Sequence, residues 1–236
     1  MTGSSGTTVT VVPAAELPGS LRGALHWLFD ETYAQADHGY LDKSLGLLRS
    51  AAVAAADDAT RQDAAGTSGR EQIIGFALGE TRILDLPGLP GQRVGRAGLC
   101  CVHSAYRRRG LFRTLETRVI ADGMGRSGGG RLLVAGRMAH PASLKIMNGI
   151  RGALPRPGVV PTAFQQDVAR AVASCFAVDD FDPLTFICRG RGRAIGYPRM
   201  DIDADAHEWK LFAGVDRDRG DSLLALSWIP DTPPGW

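Results

Sequence analysis

Lysine is scarce in this chain: it occurs only as Lys43, Lys145 and Lys210, and every other cation is arginine. The net charge is only +2, which argues against a protein that holds nucleic acid through bulk positive charge. Cysteine is nearly as rare, and Cys100, Cys101, Cys175 and Cys188 show no C-x-x-C spacing. That argues against a zinc site or a disulfide framework, so no metal is expected and a reducing, cytoplasmic setting fits. No apolar run approaches the roughly 20 residues of a membrane helix, and no membrane partner is expected. Met1 to Thr8 is rich in Gly, Ser and Thr and lacks the basic-then-apolar order of a signal peptide; residues 1–8 are expected to be a flexible tail. What is present is ordinary for a globular protein, with 44% hydrophobic and 22% charged residues in 236 positions, enough to bury a full core.

Hydrophobic periodicity orders the elements. Thr8–Val12 is β-branched and reads as a strand, and Ser20 is a candidate cap for a helix with Leu21, Leu25, Leu28, Phe29 and Tyr33 on one face. A second helix is expected over Leu41–Ala56, followed by a mobile polar loop over Asp57–Arg70. Gln72–Leu78 and Thr81–Leu86 read as strands joined by a tight turn at Gly79, and Arg93–Val102 as the third strand of an antiparallel meander. Leu111–Met124 reads as a helix ended by the glycines of Gly125–Gly130, then Arg131–Gly136 as a buried strand and Pro141–Met147 as a short helix. Thr162-Ala163-Phe164-Gln165 is a capping box that starts another helix, and Leu184–Cys188 and Ser222–Ile229 are the final strands. The order predicts one α/β domain over 1–236: a single mixed, mostly antiparallel sheet flanked by helices, with residues 156–236 as a helix-strand extension completing the sheet.

The informative stretch is Cys100-Cys101-Val102-His103-Ser104-Ala105-Tyr106-Arg107-Arg108-Arg109-Gly110-Leu111-Phe112, a strand, a turn and a helix start. A helix N-terminus exposes about four unpaired N–H groups and about half a positive charge. No Ser, Thr, Asp or Asn stands immediately before this one to satisfy them. Three arginines instead add positive charge, an arrangement that becomes favourable when an anion occupies the turn. Gly110 lets the backbone approach that anion. The competing reading is a solvated surface run. A second run, Arg189-Gly190-Arg191-Gly192-Arg193, has no helix after it and reads as a loop, with a nucleic-acid contact as the minority alternative.

This stretch resembles the GNAT superfamily of acyltransferases, whose central motif reads R/Q-x-x-G-x-G/A after a strand like L-x-V-x-P. Arg107-x-x-Gly110-x-Phe112 occupies the motif, with Val102 and Tyr106 in place and Ile74-Gly75-Phe76 similar to the family's earlier strand. The resemblance covers about Ile73 to Asn148 and is weak beyond Pro155. It implies acetyl-CoA or another acyl-CoA as cosubstrate. Cys100 and Val102 would offer backbone groups to the pantetheine arm, and Arg107, Arg108, Arg109, Gly110, Leu111, Phe112 and Arg113 would wrap the pyrophosphate. Phe112 replaces a small residue of the motif and Ser104 replaces a proline. Met147 stands where many relatives carry a tyrosine that protonates the departing thiolate.

Acyl transfer to an amine is helped by a base, an oxyanion donor and an acid. A backbone N–H near Val102 would serve as the oxyanion donor. Glu80, His103 and His140 are candidate bases, each with a structural alternative: turn solvation, a surface residue and a helix cap. Asp201, Asp203, Asp205 and Glu208 form an acidic loop, either solvated or suited to a cationic acceptor. Cys100 and Cys101, in an apolar strand, read as packing residues and not as nucleophiles. The resemblance points to an N-acyltransferase acting on an amine of a small molecule or protein by direct attack in a ternary complex. A longer acyl donor, a non-catalytic acyl-CoA sensor and, last, a nucleic-acid-binding protein stay open, as does a homodimer.

Overall fold

The computed structural model describes residues 7–34, 36–62, 68–122, 130–147, 150–191, 197–198 and 206–236. The expected tail up to residue 6, residues 123–129 with most of the glycine-rich stretch, Arg193 and the aspartates 201, 203 and 205 lie outside them. In chain order the elements are β1 (Thr7–Pro13), α1 (Gly19–Thr32), β2 (Tyr33–Ala34), α2 (His38–Leu47), β3 (Ser50–Gln62), β4 (Ser68–Leu86), β5 (Leu89–Val102), α3 (Leu111–Asp122), β6 (Leu132–Met138) and α4 (Pro141–Leu144). Then follow α5 (Ala163–Cys175), β7 (Phe181–Asp182), β8 (Ile187–Cys188), β9 (Tyr197–Pro198), α6 (Ala206–Lys210) and β10 (Ser222–Ile229). Eight strands form one sheet in the order β1-β3-β4-β5-β6-β10-β8-β7, and β2 and β9 make a separate pair. Among the described residues only β5 and β6 run parallel, joined by the crossover through α3; every other neighbouring pair is antiparallel. The expected mixed, mostly antiparallel sheet flanked by helices is what the chain forms.

Helices cover both faces. Leu25, Leu28 and Phe29 of α1 and Leu41 and Leu45 of α2 are buried over Val53, Phe76, Leu78, Leu99 and Cys101. Across the sheet, Leu111, Leu115, Val119 and Ile120 of α3 are buried over Ala52, Ala54, Ile74, Cys100 and Val102. Farther along, Val168 and Val172 of α5 pack on Leu133, Leu224 and Trp228, which extends the core under the C-terminal strands.

Several sequence expectations are corrected. Leu41–Ala56 is not one helix: α2 ends at Leu47 and β3 begins at Ser50. The alanines 51, 52 and 54–56 favour helix in isolation, but all are buried, with Ala51 and Val53 in the cluster under α1 and α2 and Ala52, Ala54 and Ala56 in the one under α3. A strand covered on both faces reads as a continuous apolar run, and small side chains let helices close on both sides. Of the expected loop Asp57–Arg70, residues 57–62 and 68–70 are strand, since β3 and β4 pair on past Ala56 to Gln62↔Ser68, and residues 63–67 lie outside the described ones. Gly79 is no turn either, because β4 is continuous through it. A Cβ there would meet Arg96 O and Val119 Cγ1, each at 3.0 Å, so the glycine admits α3. Helix α1 starts at Gly19 behind Pro18 with no side-chain cap bond, which places Ser20 inside it.

The strand expected at Leu184–Cys188 is shorter, because the Asp182 carboxylate accepts from Leu184 N–H (2.9 Å) and Thr185 Oγ1 (2.7 Å) and turns the chain there. The capping box is present in full, with Thr162 and Gln165 each bonding the other's backbone N–H. Among the described residues no helix is long and apolar enough to cross a membrane.

Candidate functional site

The site begins where the sheet opens. β5 pairs with β6 only from Arg93↔Leu132 to Ala97↔Gly136, although β5 continues to Val102. At the opening β5 carries an extra residue: its pairing with β4 passes from Gly79↔Ala97 to Ala77↔Cys100, so two residues of β5 face Leu78. Ala97 and Cys100 therefore share the α3 face although three positions apart. Such a bulge bends a strand and re-aims its side chains. Beyond it, His103 N–H donates to Ile74 C=O at 2.9 Å. By the alternation of an antiparallel ladder, the N–H and C=O groups of Val102 and Cys100 then turn to the open side. Both carbonyls are occupied there: Arg107 Nε donates to Val102 O (3.1 Å) and Tyr33 Oη to Cys100 O (3.3 Å).

A cavity of about 570 Å³ fills this opening. It is lined from both faces of the sheet, by Thr32, Tyr33 and Tyr40 on the side of α1 and α2 and by Leu111, Glu116 and Ile120 of α3 on the other. Met138, Ile146 and Met147 add an apolar wall. Of the residues that the resemblance assigns to the cosubstrate, Cys100, Val102, Arg107, Arg108, Gly110, Leu111, Phe112 and Arg113 line the cavity. Arg109 does not; its guanidinium lies over the Tyr106 ring, 5.3 Å from the centroid.

The turn is built by its own residues. Ser104–Tyr106 forms a short 3₁₀ turn, started by His103 Nδ1 accepting from Ala105 N–H at 3.3 Å. Arg108 and Gly110 both have positive φ, 62° and 78°. The first intrahelical bond of α3 is Thr114 N–H to Gly110 C=O (3.1 Å), so the N–H groups of Leu111, Phe112 and Arg113 point out of the helix start. Nothing lies within 4 Å of where a Gly110 Cβ would be. Backbone donors, a helix dipole and nearby guanidiniums thus converge at one end of the cavity, a setting suited to an anion.

The interior holds what the sequence reading missed. Glu116 is only 6% exposed. Burial pushes its carboxyl up to about 8, against the opposing effect of a hydrogen bond with the Cys100 side chain. The Cys100 thiol is pushed well above its ordinary range by burial and by Glu116, and the Tyr33 phenol likewise by burial and by the neighbouring thiols. Burial also raises Cys101, to about 12, so both thiols are held protonated, which suits packing and not nucleophilic attack. A signal was available for Glu116: a carboxylate in the middle of the stripe Phe112, Leu115, Val119 and Ile120 is a charge on a buried helix face.

None of the three candidate bases lines the cavity. Glu80, on β4, is 1% exposed and ion-paired to Arg82 Nε (2.9 Å) and Arg96 Nη1 (3.4 Å). His103 caps the 3₁₀ turn and stacks on Trp27, ring centroids 6.0 Å apart. His140 caps α4, its Nδ1 accepting from Ala142 N–H at 3.0 Å, and burial, then Arg217 and Lys145, lower its pKa. Glu208 lies in α6 and pairs with Lys145 at 3.3 Å. In the second basic run, Arg189 pairs with Asp221 at 3.3 Å and Arg191 with Asp179. Among the described residues no group of three or more His, Cys, Asp or Glu is placed to hold a metal ion.

No family model matches the chain, and no curated protein sequence does. Similar solved structures include Arabidopsis thaliana NAA60 in complex with a bisubstrate analogue, 12% identical over 94% of this chain and 99% of that one, with a TM-score of 0.46. Another is the ribosomal-protein-S18-alanine N-acetyltransferase from Escherichia coli, 12% identical over 97% and 99%, with a TM-score of 0.45. A third is the GNAT family N-acetyltransferase YhbS from Escherichia coli in complex with CoA, 18% identical over 63% and 71%, with a TM-score of 0.38.

Proposed function

We propose that the chain transfers an acyl group from acyl-CoA to an amine, by direct attack within a ternary complex. One arrangement supports this reading: a strand edge with the Cys100 and Val102 N–H groups facing a cavity that ends at an arginine-flanked helix start. The pyrophosphate sits on the N–H groups of Leu111, Phe112 and Arg113, and the pantetheine arm follows the edge of β5. The thioester oxygen then lies near Val102 N–H, which stabilises the oxyanion without any side chain. The amine enters from the side of Tyr33 and Tyr40. Glu80, His103 and His140 are each engaged elsewhere, so this reading gives none of them the proton-accepting role, and Met147 supplies only an apolar wall.

That none of the three candidate bases lines the cavity favours one second reading, a protein that binds acyl-CoA without turning it over. Two measurements separate the readings. CoA and acetyl-CoA are both expected to stabilise the fold, by about 2.7 kcal/mol at a ligand concentration 100 times Kd. Release of free thiol from acetyl-CoA in the presence of an amine panel supports transfer. Stabilisation without thiol release for any amine favours the sensor, and no thermal shift with CoA overturns both.

A further inference from the structure

Glu116 is a buried ionisable side chain of the cavity that neither the fold nor the transfer reaction has accounted for. It projects from the second turn of α3 into the cavity, nearly fully buried, and one carboxyl oxygen, Oε2, has no hydrogen-bond partner. A buried carboxylate without a cation costs several kcal/mol, so the group is kept as the neutral acid instead. The neighbour acting on it is uncharged, a Cys100 side chain that hydrogen-bonds it. A neutral carboxyl differs from a carboxylate in one respect that matters here: it has an O–H to donate. Deeper than Arg113 at the helix start, and between the apolar Leu111 and Ile120, Glu116 therefore offers the cavity a carboxyl donor.

The position selects the acceptor. Leu111 opens the helix at the anion-suited end, and Glu116, five residues on, lies roughly 7.5 Å farther along the axis. A phosphate held at the helix start is out of its reach, whereas the arm that follows the phosphates in acyl-CoA carries two secondary amides with carbonyl oxygens. We infer that the neutral carboxyl of Glu116 donates a hydrogen bond to an amide carbonyl of the pantetheine arm, gripping it from the α3 side while β5 offers N–H groups from the other. This rests on the acyl-CoA reading of the cavity. It gives binding a pH dependence, since the donor exists only while the acid is neutral. Arm affinity is full below the Glu116 pKa and is lost as pH rises through about 8.

The groups facing Glu116 do not mask that transition. Tyr33 of β2 and Cys100 of β5 are both pushed well above their ordinary ranges, so they remain neutral across it. The other charges on the cavity are the guanidiniums of Arg107, Arg108, Arg113 and Arg137 and the Lys145 ammonium.

The test measures affinity for acetyl-CoA, which has no free thiol to titrate, and for adenosine 3′,5′-bisphosphate, which lacks the arm, in wild type, Glu116→Gln and Glu116→Leu. Melting curves establish that each variant is folded. Wild type is expected to lose about tenfold in acetyl-CoA affinity between about pH 7 and about pH 9.5. Glu116→Gln keeps an N–H donor that does not titrate, so its affinity stays flat across the range. Glu116→Leu binds acetyl-CoA about tenfold more weakly at the low end and shows no pH dependence. The bisphosphate binds all three proteins alike. Wild-type affinity and pH profile in Glu116→Leu, or an equal loss for the bisphosphate, overturns the assignment to the arm. Binding of neither ligand by wild type overturns the acyl-CoA reading, and this inference with it.

Discussion

β6 has a neighbour along each edge, and the two edges behave differently. With β10 the register is unbroken from Ile229↔Leu132 to Leu223↔Met138. With β5 it stops at Ala97↔Gly136, and β5 turns away. β10 keeps its residues from Ser222 to Trp228 buried and contains no glycine. β5 carries Gly95 and Gly98 and the bulge opposite Leu78. One sheet thus supplies both a sealed core seam and an open cleft, and the difference lies in one extra residue on one strand. Gly98 sits at that bulge, where a Cβ would stand 2.3 Å from Leu48 Cδ1 and 2.8 Å from Leu78 O.

Gly98→Val attacks the open seam directly. The new side chain must displace Leu48 or the β4 backbone, so we expect a loss of about 3 kcal/mol in denaturant unfolding, together with loss of CoA binding. A stable variant that still binds CoA would separate the bulge from the cleft. Gly110→Glu acts at the mouth, where it places a carboxylate against the bound anion. CoA affinity should fall at least about a hundredfold by calorimetry, while the positive φ at Gly110 costs the unliganded fold about 1 kcal/mol and the open space around the new side chain adds no clash. Retained affinity would move the phosphate position elsewhere.

Glu116→Gln acts inside the cleft and should raise the stability of the unliganded fold by about 2 kcal/mol near pH 7. The sign follows from burial: the folded protein holds this carboxyl's proton up to about pH 8, the unfolded chain releases it near 4.3. Wild type therefore loses stability as pH rises between those values, and the gain in the variant should grow over the same window. A difference in melting temperature that does not change with pH would mean that Glu116 is ionised in the folded state. Arg109→Ala should do least, within about 0.5 kcal/mol for both CoA affinity and stability, since Arg109 lies on Tyr106 and off the cavity. An effect as large as that of Arg107→Ala would bring Arg109 into the cleft.

Legibility followed the range of the interactions that decide each element. The capping box at Thr162 and Gln165, the helix from Leu111 and the strand Ser222–Ile229 are set by neighbours in the chain, and the structure has them where periodicity places them. β3 was misread because only tertiary burial makes a strand of an alanine run. The turn around Gly110 could be read because a missing cap, a glycine and three arginines are adjacent in sequence. The cleft interior could not, since Tyr33 reaches Cys100 across 67 positions and no local pattern encodes that contact. The three candidate bases rest on chemistry and chain position, and the structure engages them elsewhere, two as caps and Glu80 in ion pairs with Arg82 and Arg96.

The bonds on the open edge of β5 have a consequence for solubility. An unpaired strand edge is a template on which another chain can add a strand, and long exposed edges drive aggregation. Here Arg107 and Tyr33 already fill the outward carbonyls of Val102 and Cys100, and the edge lies inside a cavity roofed from both faces. A slender ligand arm can exchange with those side chains one at a time, whereas a polypeptide strand needs a full row of acceptors and room beside them. The fold can therefore keep a sheet permanently parted without inviting self-association at the gap.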